Sequence, residues 1–87
     1  MKKAIIVTFS FLSVLLAQSM TIEGIVKDKK TQKNLIGANV FIMGTSIGAS
    51  TNTEGKYLLK NVKPGSYKVK ASYIGYQAVE IDLDLTS

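Results

Sequence analysis

The chain has no cysteine, no histidine and no arginine. Without cysteine it forms no disulfide, the usual support of small exported domains. It also offers no N-terminal thiol for lipid attachment after a leader is cut. Without histidine and cysteine it lacks the ligands of a transition-metal centre. Nor can it assemble a Ser/His/Asp, Cys/His or Glu/His catalytic group. No lysine is marked as a nucleophile. The sequence therefore points away from an enzyme, and no cofactor or metal is expected. Without arginine there are no bidentate contacts to phosphates or bases, and the charge excess is modest, so nucleic acid is not an expected partner.

Long apolar runs are also scarce. The one that exists, Ala4 to Leu16, spans 13 residues and is broken only by Thr8, Ser10 and Ser13. A membrane-spanning helix needs roughly 20. Two lysines precede the run, and Ala17-Gln18-Ser19 follows with small residues at the first and third positions. This is the layout of a secretory signal peptide. Residues 1–19 read as a helical signal peptide, cut after Ser19, and residues 20–87 as the domain. The domain then holds nine lysines against six acids, a net charge of +3. A domain this small buries only about 60% of its unfolded surface.

From Thr21 onward the apolar period is two. Ile22, Gly24 and Val26 share one face of a strand. Asp28 to Asn34 is polar, and Lys27, Lys29, Lys30 and Lys33 make it a candidate interaction loop for an anion or acidic surface; the plainer reading is a solvated loop. Ala38 to Met43 is a second strand with apolar residues on both faces. Gly44 to Ser50 lacks the Gly-Lys-Ser/Thr ending and following helix of a phosphate loop, and reads as a wide turn plus a short edge strand. Asn52 to Gly55 is a turn, with Gly55 supplying the positive φ and too few carboxylates for calcium. Lys56 to Val62 follows as a strand, with Tyr57, Leu59 and Asn61 on one face.

Pro64-Gly65 fits the centre of a type II turn. Ser66 to Ile74 alternates, with Tyr67, Val69, Ala71 and Tyr73 on one side and Lys68, Lys70 and Ser72 on the other. Gly75-Tyr76 breaks the run. In Ala78 to Leu85, Val79, Ile81, Leu83 and Leu85 face in. The outward Glu80, Asp82 and Asp84 could hold a metal, but pairing across to Lys68 and Lys70 suits them better. The whole reads as an all-β fold of about six to seven short strands, a small Greek-key β-sandwich.

Gly24-x-Val26-x-Asp28, Leu35-x-Gly37-Ala38-x-Val40, Gly55-x-Tyr57, Pro64-Gly65-x-Tyr67 and Tyr73-Ile74-Gly75-Tyr76 occur in the order found in the carboxypeptidase regulatory-like domain family. Thr21 to Leu85 resembles that family throughout. The resemblance implies a transthyretin-type sandwich. It also makes Gly55, Tyr57, Pro64, Gly65, Tyr67, Tyr73 and Gly75 residues of turns and core rather than of a reactive site. The Tyr-Ile-Gly-Tyr ending is similar to domains exported in Bacteroidetes-type bacteria, at the N-terminus of TonB-dependent outer-membrane receptors, including SusC-like glycan importers. Three departures stand out. Proline is absent near Asn34 and Ile36. Asn52 stands where the family often has Asp. A further strand that many members carry after Leu85 is not seen.

The resemblance implies a non-catalytic accessory or interaction module in the periplasm or at the outer membrane of a Gram-negative bacterium. Its partners would be following receptor domains or another protein. A free-standing carbohydrate- or ligand-binding sandwich and a structural spacer are the alternatives. For a glycan, Tyr76 is the natural exposed aromatic.

Overall fold

A computed structural model describes residues 3–13 and 19–85, the side chains of 11–13 excepted. Among these residues every regular element is a strand: β1 (Ile5–Val7), β2 (Ser10–Ser13), β3 (Met20–Asp28), β4 (Asn39–Ile42), β5 (Gly48–Ser50), β6 (Lys56–Val62), β7 (Gly65–Ser72) and β8 (Val79–Leu85). They form two antiparallel sheets of an all-β sandwich. In one, β5, β4, β7 and β8 lie in that order. In the other, β3 is flanked by β6 on one edge and by β1 and β2 on the opposite edge.

The leader residues therefore depart from expectation. A helix is expected there, yet β1 and β2 pair with β3. Ile6 faces Lys27 and Ser10 faces Glu23, and between them the Thr8 N–H donates to the Ile25 carbonyl at 3.1 Å. The two short strands thus run as one line along the β3 edge. The physical reason is local: Ile5-Ile6-Val7-Thr8 is all β-branched, stiff at χ1 and suited to a pleated surface. Pairing fixes the shape of this segment and leaves open its processing. The Met1-Lys2 start and the Ala17-Gln18 part of the expected cut site lie outside the described residues, as do Thr86 and Ser87.

The core lies between the sheets. Ile22 and Val26 of β3, Val40 and Ile42 of β4, Leu59 and Val62 of β6, and Val69 of β7 are its large side chains under 2% exposed. Ile5 of β1 joins them. In β8 the alternation holds, with Leu83 and Leu85 buried and Asp82 and Asp84 outward. The acids meet lysines across the ladder: Lys68 opposes Asp82 with their charged atoms 3.8 Å apart, and Lys70 opposes Glu80.

Two local expectations fail around β6. Its register against β3 shifts between Leu59, opposite Ile22, and Val62, opposite Met20. Asn61 takes φ 60° there, a left-handed conformation that Asn tolerates better than most residues. The resulting bulge turns Asn61 outward and sends Val62 into the core, where strict alternation had placed them the other way. The second failure follows. Gly65 has φ 153° and already begins β7, so Pro64-Gly65 is not the centre of a type II turn, which needs φ near +80° at the glycine.

Because packing between the sheets supplies most of the stability, Ile22→Ala is expected to cost about 2–5 kcal/mol in urea unfolding. Leu58→Ala, on the outer face of β6, is expected to cost less than about 1 kcal/mol. Equal costs would contradict the assigned faces.

Candidate interaction site

The lysine loop leaves β3 at Asp28, and this residue holds it in shape. Asp28 is 3% exposed. Its Oδ1 accepts the N–H groups of Lys30 at 2.8 Å and Thr31 at 3.0 Å. Its carbonyl accepts the Gln32 N–H, and its own N–H donates to the Lys33 carbonyl. Gln32 turns the chain at φ 64°. Such side-chain-to-backbone bonds are the mechanism by which Asp favours turns. The outcome is a compact loop with Lys29, Lys30 and Lys33 exposed and Lys27 half-buried.

The remaining carboxylate oxygen of Asp28 accepts the Tyr76 hydroxyl at 2.6 Å. This bond joins the loop after β3 to the turn before β8. The turn is closed by the Tyr76 N–H donating to the Tyr73 carbonyl, with Gly75 at φ 86° and Ile74 95% exposed at its tip. Lys3 completes the cluster. Its ammonium lies 5.8 Å from the Tyr76 ring centroid, and its carbonyl accepts the Gln77 N–H at 2.8 Å.

The electrostatics follow from these bonds. The Tyr76 hydroxyl, then the backbone N–H groups and the Lys3 charge, hold the Asp28 carboxyl at about 2, below the ordinary 3.8. The same bond, with burial, pushes Tyr76 upward. Asp28 is thus a fully bonded anion inside a basic loop, and the exposed charge there is all positive. The arrangement can attract an acidic surface.

Tyr57 is buried, and its hydroxyl donates to the Thr8 carbonyl at 2.6 Å. Burial raises its pKa. Tyr67 and Tyr73 are half-buried; the Tyr67 hydroxyl donates to the Lys63 carbonyl at 2.6 Å. Gly55 sits at φ 75°, where an added Cβ would come 2.9 Å from the Val26 carbonyl. Asn52 closes that turn by accepting the N–H groups of Glu54 and Lys56. Tyr76, expected as the free aromatic, is instead engaged by Asp28 and packs tilted against Tyr73, with ring centroids 5.5 Å apart. Nothing local in the sequence marks the Asp28–Tyr76 bond, whose partners are 48 residues apart.

An open groove of about 530 Å³ runs beside Glu23, Ile25, Ser50, Asn52 and Lys56. With residues 3–13 in place, Tyr57, which also lines it, is buried and presents no face for a sugar to stack on. Among the described residues no three His, Cys, Asp or Glu side chains are grouped to hold a metal.

The family model of the CarboxypepD_reg-like domain matches residues 22–87. The chain is also 44% identical over 72 residues to the TonB-dependent receptor SusC of Bacteroides thetaiotaomicron. That alignment covers 82% of this chain and 7% of the receptor. No solved structure matches.

Asp28 has a depressed pKa, so its contribution to stability is present above the unfolded value near 4. It is lost as pH falls through about 2. Melting curves of the wild type should therefore drop over that window more than those of Asp28→Asn, which should melt lower at neutral pH. Tyr76→Phe removes the largest cause of the shift. Carboxyl titration by NMR should then show Asp28 moving up toward its ordinary value; an unmoved Asp28 would refute the clamp.

Proposed function

Because the chain belongs to the CarboxypepD_reg-like domain family, we propose that it is the exported N-terminal module of a TonB-dependent outer-membrane receptor. In this reading it makes and breaks no bonds. It acts by packing and by contact with the receptor domains that follow, in the periplasm or at the outer membrane of a Gram-negative bacterium. The observation that carries the reading is the 44% identity to SusC over 82% of the chain. The leader supports it: a basic start, a short apolar run and small residues before Met20 are what an export signal requires. The absence of histidine and cysteine removes the commonest catalytic and metal-ligating groups and favours contact as its mode of action.

Contact surfaces of the right kind are present. The Lys29–Lys33 loop is held rigid by Asp28, so an acidic partner meets ordered charges and loses less entropy on binding. Its exposed lysines would act mainly on association rate and orientation.

Two measurements test this reading. The genomic reading frame past codon 87 should continue into a plug and a β-barrel. A stop codon there, with its own terminator, would refute the receptor assignment. Mass spectrometry of the exported protein should give an N-terminus within about two residues of Met20. An intact Met1 in that fraction would refute the signal peptide.

A further inference from the structure

We propose that the outer edge of β3, once the leader is removed, pairs with the same edge of a second copy of this chain. The inference rests on the export reading, since it is the leader that covers this edge. The Ile25 N–H donates to the Thr8 hydroxyl at 3.2 Å, and its carbonyl accepts the Thr8 N–H. The Lys29 N–H donates to the Ala4 carbonyl at 3.0 Å. Glu23 and Lys27 lie at the same edge, opposite Ser10 and Ile6. Cutting the chain after Ser19 leaves this row of donors and acceptors without strand partners. It also removes the carbonyl that accepts the Tyr57 hydroxyl. No strand between Met20 and Leu85 is free to take the place of the leader. β6 already holds the other edge of β3, and β5 and β8 are paired within the second sheet.

The edge is complementary to itself. Glu23, Ile25 and Lys27 alternate onto the outer face of β3, while Ile22 and Val26 point into the core. An antiparallel pair with its twofold axis at Ile25 opposes Ile25 to Ile25. It also places Glu23 of each copy across from Lys27 of the other, so that two opposite-charge pairs flank an apolar centre. These positions carry the outward main-chain groups, so ladder bonds and charge pairs form in one register. Centring the axis on Glu23 would oppose two carboxylates, and centring it on Lys27 would oppose two ammonium groups. Of the registers centred on one of these outward residues, charge favours the one at Ile25. The contact is isologous and closes at two copies, which protects an edge that would otherwise invite open-ended association.

The test compares the processed protein, Met20 to Ser87, with the unprocessed chain by sedimentation velocity, using circular dichroism to confirm that each is folded. The unprocessed chain should be monomeric and the processed one dimeric at tens of micromolar. Glu23→Lys and Lys27→Glu should each weaken the dimer by about tenfold or more. The double exchange should restore it. Mixing the two single variants should give a heterodimer, because each supplies the charge that the other needs. A role of either residue in folding would not produce that rescue. A folded, monomeric processed protein overturns the proposal. So does a dimer indifferent to both reversals, or a receptor-length monomer whose β3 edge amides are already protected from exchange by the polypeptide that follows. These outcomes are read on the edge itself, whereas the downstream reading frame tests the receptor assignment separately.

Discussion

β3 has two edges, and the backbone groups along each must find partners. Hydrogen bonds left unmade at a buried or half-buried strand cost far more than made ones contribute. On one edge β6 meets this requirement, together with the Gly55 carbonyl and the Leu35 N–H around Val26. On the other edge, among the described residues, residues 4–13 do. The rest of the sandwich is arranged around that strand. Its inner face carries Ile22 and Val26 into the core, and its end carries Asp28 into the lysine loop. Its one glycine lets Thr8 and Tyr57 approach: a Cβ at Gly24 would lie 2.5 Å from the Tyr57 hydroxyl oxygen.

A core with so few large side chains and no disulfide leaves little reserve. Polar clamps at the ends of the sandwich add to it. The Thr51 hydroxyl accepts the Ala38 N–H and donates to the Leu35 carbonyl, tying the approach to β4 onto the turn after β5. Asn52 and Asp28 close their loops in the same way, by accepting backbone N–H groups that would otherwise face water or the core. These bonds order the connections as well as the strands, so the charges on the Lys29–Lys33 loop occupy defined positions. The link from sequence to function here is indirect: short polar side chains fix loops, and fixed loops present a surface.

Much of the sandwich is legible in the alternation. The β8 run and the face of β7 carrying Val69 and Ala71 can be read directly, because a strand with one buried face must repeat every two residues. The bulge at Asn61 is not legible that way. A single left-handed residue shifts the phase of everything after it, and only the partner strand reveals the shift. The loop around Lys29 to Lys33 is visible as polar sequence, but its anchor is not, since Asp28 and Tyr76 meet only in the folded chain. Pro64-Gly65 misleads because turn propensity ranks local conformations while the two flanking strands choose among them. The apolar run at residues 4–13 misleads for a similar reason. Hydropathy alone does not separate a short helix from a buried strand, and the β-branched run Ile5 to Thr8 suits the second.

That ambiguity bears directly on how the module can work. An export leader must be apolar and short, and an edge strand that covers part of a core must also be apolar and short. One segment can satisfy both demands, since neither depends on specific side-chain chemistry. While the leader is attached, the domain carries its own cover for β3, with Ile5 in the core and Thr8 holding Tyr57. Under the proposed cleavage, the same backbone groups and the same tyrosine hydroxyl would be released together, turning the edge from filled to receptive. Such an edge is a strong interaction device. It offers a row of directional bonds flanked by Glu23, Ile25 and Lys27, and the proposed cut would expose it.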